Sequence, residues 1–121
     1  MPEGLVYAGK VVYEYKGSMP RGTEIEIKEG TKAIAEDAFY SESLSKITIP
    51  DSVTTIGEGA FQYCTDLSNI TIPSSVTTMG GWVFSSWESS QTINIQKYLS
   101  APAGWSTNWY RGCYATVNWN K

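Results

Sequence analysis

The side chains in this chain that could do acid–base, nucleophilic or metal chemistry are few. Histidine is absent, which removes the commonest general base and metal ligand and the usual catalytic triads. Carboxylates remain, with Glu36 beside Asp37 and with Glu24, Glu26 and Glu29 along one run. The first pair sits beside a short turn, and the others fit a solvated strand face. Cys64 and Cys113 have no ligand partner at a useful spacing. We therefore assign no catalytic or metal-binding residue, expect no cofactor, and read the chain as a non-enzyme. Asn69-Ile70-Thr71 fits a glycosylation sequon, a match of chance-level specificity.

The elements that would have to position any site follow from composition and repetition. The 121 residues are 41% hydrophobic and 17% charged, which is one ordinary globular domain. A net charge of −3, with nine basic residues scattered from Lys10 to Lys121, offers no stripe to neutralise a phosphate backbone. Nucleic acid is excluded as a partner on that ground. No apolar run approaches the ~20 residues needed for a membrane span, and the opening MPEGLVYAGKVV lacks the regions of a signal peptide. Its start inside a partial repeat leads us to expect a segment of a longer protein.

The chain is organised around ITIPDSVTTIGEGAF (Ile47 to Phe61), which returns 23 residues later as ITIPSSVTTMGGWVF (Ile70 to Phe84). Repetition at that period is the signature of a solenoid, in which each unit buries its apolar face against its neighbours. Columns of like residues align: Ile25, Ile47, Ile70 and Ile93; Ile34, Ile56 and Met79; Phe39, Phe61 and Phe84. Each unit starts with an alternating strand that Pro50 or Pro73 ends, because proline donates no ladder hydrogen bond. A second short strand is expected at Val53 to Ile56 and Val76 to Met79. Gly57 and Gly80 then supply a turn with positive φ, and Glu36 to Ser41, Glu58 to Cys64 and Gly81 to Ser86 each suit a single helical or 3-10 turn.

The ends are less regular. Residues 1–24 read as a degenerate first coil, with Leu5 to Tyr7 and Val11 to Tyr15 as its two strands, although a simple hairpin also fits. Residues 25–96 hold the repeats. Residues 97–121 read as an aromatic C-terminal cap that folds Trp105 and Trp109 across the open end, with Tyr114 to Trp119 as a closing strand. Cys64 and Cys113 then lie about two coils apart, near ~10 Å and beyond the ~7 Å limit of a disulfide, so both are expected as buried free thiols.

The block IPDSVTTIGEGAFQYCTDL (Ile49 to Leu67) resembles the BspA-like bacterial leucine-rich repeats, whose unit is IPxSVTxIGxxAFxxCxxL. The resemblance runs from Glu29 through Leu67 and again from Ile70 to Phe84. It departs in repeat one, which has Lys28 and Glu42 where the pattern has Pro and Cys, and in repeat three after Phe84. The resemblance implies a mainly β fold, a right-handed solenoid of parallel strands. It also implies an extracellular or bacterial cell-surface location and a role in adhesion or protein binding, a host protein being one candidate partner.

Two surfaces could bind. The outward face of the first-strand sheet carries Glu26, Lys46, Thr48, Asn69, Thr71, Asn94 and Asn118, a polar and weakly charged row that suits either a protein partner or a solvated ladder. The aromatics Trp82, Trp87, Trp105 and Trp109 offer an alternative, a carbohydrate-binding module that stacks sugars on exposed rings. A structural spacer is the remaining reading. We expect a monomer in each case.

Overall fold

The computed structural model describes residues 4–16, 19–98 and 100–119. Alternating Ile and Thr or Asn residues place one strand per coil in a first stack of parallel strands. It comprises β3 (Thr23–Glu26) with β5 (Leu44–Thr48), and β7 (Asn69–Ile72) with β9 (Thr92–Ile95) and β10 (Thr116–Asn118), numbering in chain order. A second stack joins β2 (Val11–Lys16), β4 (Ala33–Ile34), β6 (Thr55–Ile56) and β8 (Thr78–Met79), and a single parallel bridge from Met79 to Trp105 extends it. Register sets like on like, with Ile25 opposite Ile47, Ile70 opposite Ile93, and Val12, Ile34, Ile56 and Met79 in one line. The inward columns are buried, which is what stabilises a stack whose coils have no separate cores.

The second strands are shorter than expected. Val53 and Val76 lie in turns, their N–H groups donating to the carbonyls of Pro50 and Pro73 at 3.2 Å. The preceding serine ties each turn to the coil before it: Ser52 Oγ donates to Thr31 O at 2.8 Å and Ser75 Oγ to Val53 O at 2.7 Å. That bond accounts for the serine in both Ile-Pro-x-Ser-Val units.

The third side of each coil contains no helix, contrary to the helical or 3-10 turns expected there. It is a ladder of turns. Residues alternate between donating three back within their own coil, as Ala38 to Ala35 O and Tyr40 to Asp37 O, and donating to the next coil, as Phe39 to Ala60 O and Phe61 to Val83 O. Left-handed residues recur in two columns, Asp37, Gly59 and Trp82 (φ 55°, 67° and 60°) and Ser41, Tyr63, Ser86 and Gly112 (φ 56°, 64°, 69° and 74°). Such residues stop the turns from continuing as a helix. Gly57 and Gly80 are not among them, which corrects the role expected for them. A Cβ on either would stand 2.6 Å from a backbone nitrogen of the preceding coil, Glu36 or Glu58. Glycine is required there for close approach of two backbones.

At the N-terminus the expected coil is replaced by a hairpin. β1 (Gly4–Ala8) runs antiparallel to β2, Ala8 pairing with Val11. The link is two residues long, with Gly9 at φ 61°, and a parallel return needs a far longer crossover. β2 still joins the solenoid, with Val12 rather than Val11 in the column of Ile34.

At the C-terminus the aromatic segment forms a further coil. Ser106 donates to Met79 O at 2.7 Å, Tyr114 to Trp87 O at 2.9 Å and Thr116 to Gln91 O at 3.0 Å. A spine of parallel rings, Phe39 to Phe61 at 5.5 Å and Phe61 to Phe84 at 6.0 Å, ends where Trp87 and Trp109 meet Phe84 edge-on. Trp87 takes the column of Cys64: its indole N–H donates to Phe61 O at 2.8 Å, as the Cys64 thiol donates to Phe39 O at 2.9 Å. Its ring fills volume in the one repeat without a leucine like Leu44 or Leu67. Cys113 follows in the same column, so Trp87 stands between the two cysteines, and both thiols are free.

Candidate functional site

The outward side of the first stack gathers most of the polar residues read from the sequence. Glu26 stands beside Thr48, Glu24 beside Lys46, Thr71 beside Asn94, and Asn94 beside Asn118. Glu26, Lys46, Thr48, Asn69 and Thr71 are exposed. Asn94 and Asn118 are half-buried, the Asn118 amide donating to Asn94 Oδ1 at 3.1 Å, so at that end the amides satisfy each other.

The stack is interrupted between β5 and β7, which share no ladder. One coil further on, the Gln96 N–H closes the end of the ladder on Ile72 O at 3.1 Å. Pro73 has no N–H for the equivalent bond between β5 and β7, but neither has Pro50 between β3 and β5, which pair all the same, so proline does not set the break. A groove of about 310 Å³ opens at the break, lined by Lys46, Thr48, Asp51, Asn69, Thr71 and Gln96. A second, of about 330 Å³, adjoins it over Glu24, Glu26, Lys46 and Thr48. Lys46 and Thr48 border both. Asp51 and Gln96 were missing from the sequence-based candidates. Their signal was present in the positions beside the proline column, where the strand leaves the sheet and its last side chains flank the face.

Groove chemistry is hydrogen bonding with one charge of each sign near the break, Lys46 and Asp51. Carboxylates lie at the β3 end, and the neutral amides of Asn94 and Asn118 at the other. Among the described residues no three Cys, Asp or Glu side chains converge as a metal site.

The alternative aromatic surface is mostly interior. Trp87 is 0%, Trp105 5% and Trp109 8% exposed, while Trp82 is 39% exposed. The Trp105 indole N–H donates to Val76 O at 3.2 Å. These three rings pack on the spine and on one another and leave no face for a sugar; Trp82 alone could offer one. Neither cysteine is a reactive thiol. Burial pushes the Cys64 thiol up to about 12 and also raises Cys113, so the thiolate is disfavoured at neutral pH. Burial raises Glu42, Cys64's column neighbour, as well.

Parallel strands stacked coil on coil, inward apolar columns and an outward polar face define a β-solenoid repeat protein. The chain belongs to the BspA type leucine rich repeat family, whose model matches six copies over residues 17–114. A search of the curated proteins and a search of the solved structures each return no match. Repeats of this family make a module suited to binding proteins and typically not an enzyme.

Proposed function

We propose that this chain is a non-enzymatic protein-binding module whose contact surface is the outward side of the first strand stack, centred on the break between β5 and β7. The observation that carries the reading is the groove itself. Lys46, Thr48, Asn69 and Thr71, four residues at outward strand positions, converge with Asp51 and Gln96 around it. At the far end of the stack the amides of Asn94 and Asn118 are already matched to each other. A partner that inserts a polar side chain there meets a cation, a carboxylate, two amides and two hydroxyls within one concavity, enough to set specificity by hydrogen bonding. Adhesion to a host protein at a bacterial surface, or in the extracellular medium, is the setting in which such a module fits the family resemblance.

The test is to immobilise the native chain and a Thr48→Tyr/Thr71→Tyr variant and expose both to host extracellular extract. Tyrosine suits a strand and adds bulk without charge. A discrete protein retained by the native chain and lost from the variant, with equal melting temperatures, supports the reading. Equal retention by both chains refutes it.

A further inference from the structure

The turn ladder carries a second surface with a different chemistry. Among the described residues, the large apolar side chains that remain exposed are Tyr13, Tyr40, Tyr63, Trp82 and Tyr114, and all but Tyr13 belong to this side of the coils. Tyr63 and Trp82 occupy left-handed positions, at φ 64° and 60°. A bulky residue is strained there and glycine relaxed. Glycine does stand at the same positions in other coils, at Gly59 in the column of Trp82 and at Gly112 in that of Tyr63. Two of the exposed rings, Tyr63 and Trp82, are thus held at positions that glycine would relax, while Tyr40 is not at a left-handed position.

The chain itself shows what such a ring takes. The Arg111 guanidinium lies over Trp82, 5.7 Å from the ring centroid, and hydrogen-bonds to Asn108 Oδ1 at 3.2 Å. Tyr40 and Tyr63, from adjacent coils, meet edge to face at 5.5 Å. Among the described residues no cation covers either ring. Charge around this pair is mostly acidic. The turn segments that hold it carry Glu36, Asp37, Glu42, Glu58 and Asp66, and no Lys or Arg occurs from Ala33 to Ser45 or from Ile47 to Gln96. Arg21 reaches Asp66 at 3.4 Å and offsets one of these five carboxylates.

We propose that the Tyr40–Tyr63 pair is the docking point for an arginine- or lysine-bearing segment of a partner protein. The cation rests on the exposed ring faces, and the carboxylates of the same turns balance its charge. A cation is attracted to the ring quadrupole, and arginine is favoured over lysine because its flat guanidinium can stack and is more weakly hydrated. The surface is separate from the groove between β5 and β7, so the two readings stand or fall independently.

The probe is a fluorescein-labelled alternating Gly-Arg dodecapeptide, with a Gly-Gln peptide of equal length as control, read by fluorescence anisotropy. The native chain should bind the Gly-Arg peptide, more weakly as salt is raised, and leave the Gly-Gln peptide free. A Tyr40→Ser/Tyr63→Asn variant should lose about tenfold or more in affinity. Asparagine tolerates the left-handed conformation, so a retained fold is expected and is checked by thermal melting. A Tyr13→Ser variant, which removes an exposed ring outside the turn ladder, should bind the peptide as the native chain does. Titrating the native chain while following tyrosine ring protons by NMR reads the same claim without substitution, with shifts expected at Tyr40 and Tyr63 and not at Tyr13. No binding by the native chain, undiminished binding by a folded double variant, or shifts confined to other rings would overturn the proposal.

Discussion

Replacing Gly57 by alanine tests the close approach of coils directly. The added Cβ would lie 2.6 Å from Glu36 N and 2.8 Å from Ala35 C, both backbone atoms, where ordinary contact begins at 3.4 Å. Neither atom can rotate away, so the coils must part locally by about 0.8 Å. Two inter-coil hydrogen bonds span this point, Gly57 N–H to Ile34 O at 2.7 Å and Asp37 N–H to Glu58 O at 3.0 Å. Weakening bonds worth about 1 kcal/mol each, with the strain of overpacking, comes to about 2–4 kcal/mol. Gly59→Ala is the matched control. Its φ of 67° is unfavourable to alanine, but the Cβ would meet the Asp37 carboxylate, the movable end of a side chain. The expected cost is about 1–2 kcal/mol, set by the left-handed backbone alone. Equilibrium urea unfolding followed by far-UV circular dichroism measures both. Gly57→Ala within about 0.5 kcal/mol of the native chain, or Gly59→Ala the more damaging of the two, would refute the close-approach argument.

Three further outcomes are expected. Phe61→Ala removes the central ring of the spine from a fully buried site and should cost about 3–5 kcal/mol in urea unfolding; a cost below about 1 kcal/mol would contradict the stacked core. The Cys64 thiol is held at about 12 against an ordinary 9.0, so the unfolded chain releases this proton first. Stability is full below pH 9 and falls between about pH 9 and pH 12, at up to about 1.4 kcal/mol per pH unit; Cys64→Ala should fall less steeply, and parallel pH profiles would contradict the assignment. A chain ending at Gln96 lacks Trp105 and Trp109 and uncovers Phe84, Met79 and the far side of β9. It should aggregate or melt well below the native chain, and an unchanged monomeric melt would show that the last coil is dispensable.

The stack was legible because its columns are written at a fixed spacing. Ile25, Ile47, Ile70 and Ile93 share a face by strand alternation, and register followed. Other features depend on geometry that type and spacing do not encode. Gly57 reads the same whether glycine serves positive φ or close approach, and only the position of Glu36 N decides between them. The turn segments looked helical because an adjacent apolar pair with turn residues around it suits a single helical or 3-10 turn, yet the left-handed Asp37, Ser41 and Tyr63 are residues that sequence alone would not place there. The first strand was misassigned because Leu5 to Tyr7 has the apolar pattern of a coil, while the two-residue link through Gly9 permits only a hairpin. Trp87, Trp105 and Trp109 carried the signature of a ring surface as well as of a cap, and the cap was the preferred reading. The spine ending at Phe84 gave them a buried place to pack. The outward strand residues were found by alternation. The groove among them was not, because the unpaired step from β5 to β7 and the paired step from β3 to β5 carry the same proline, Pro73 and Pro50, at the same position.

The claim that the first stack is the contact surface is tested most directly by site-specific photocrosslinking. A benzophenone side chain is placed singly at Thr71 in the groove, at Asn118 at the far end of the same face, and at Thr54, an exposed residue between the proline turn and β6. Each chain is irradiated in host extracellular extract. The account predicts one discrete crosslinked protein from Thr71, little from Asn118 and none from Thr54. Crosslinks of equal yield at Thr71 and Thr54, or a discrete product from Thr54 alone, would contradict it.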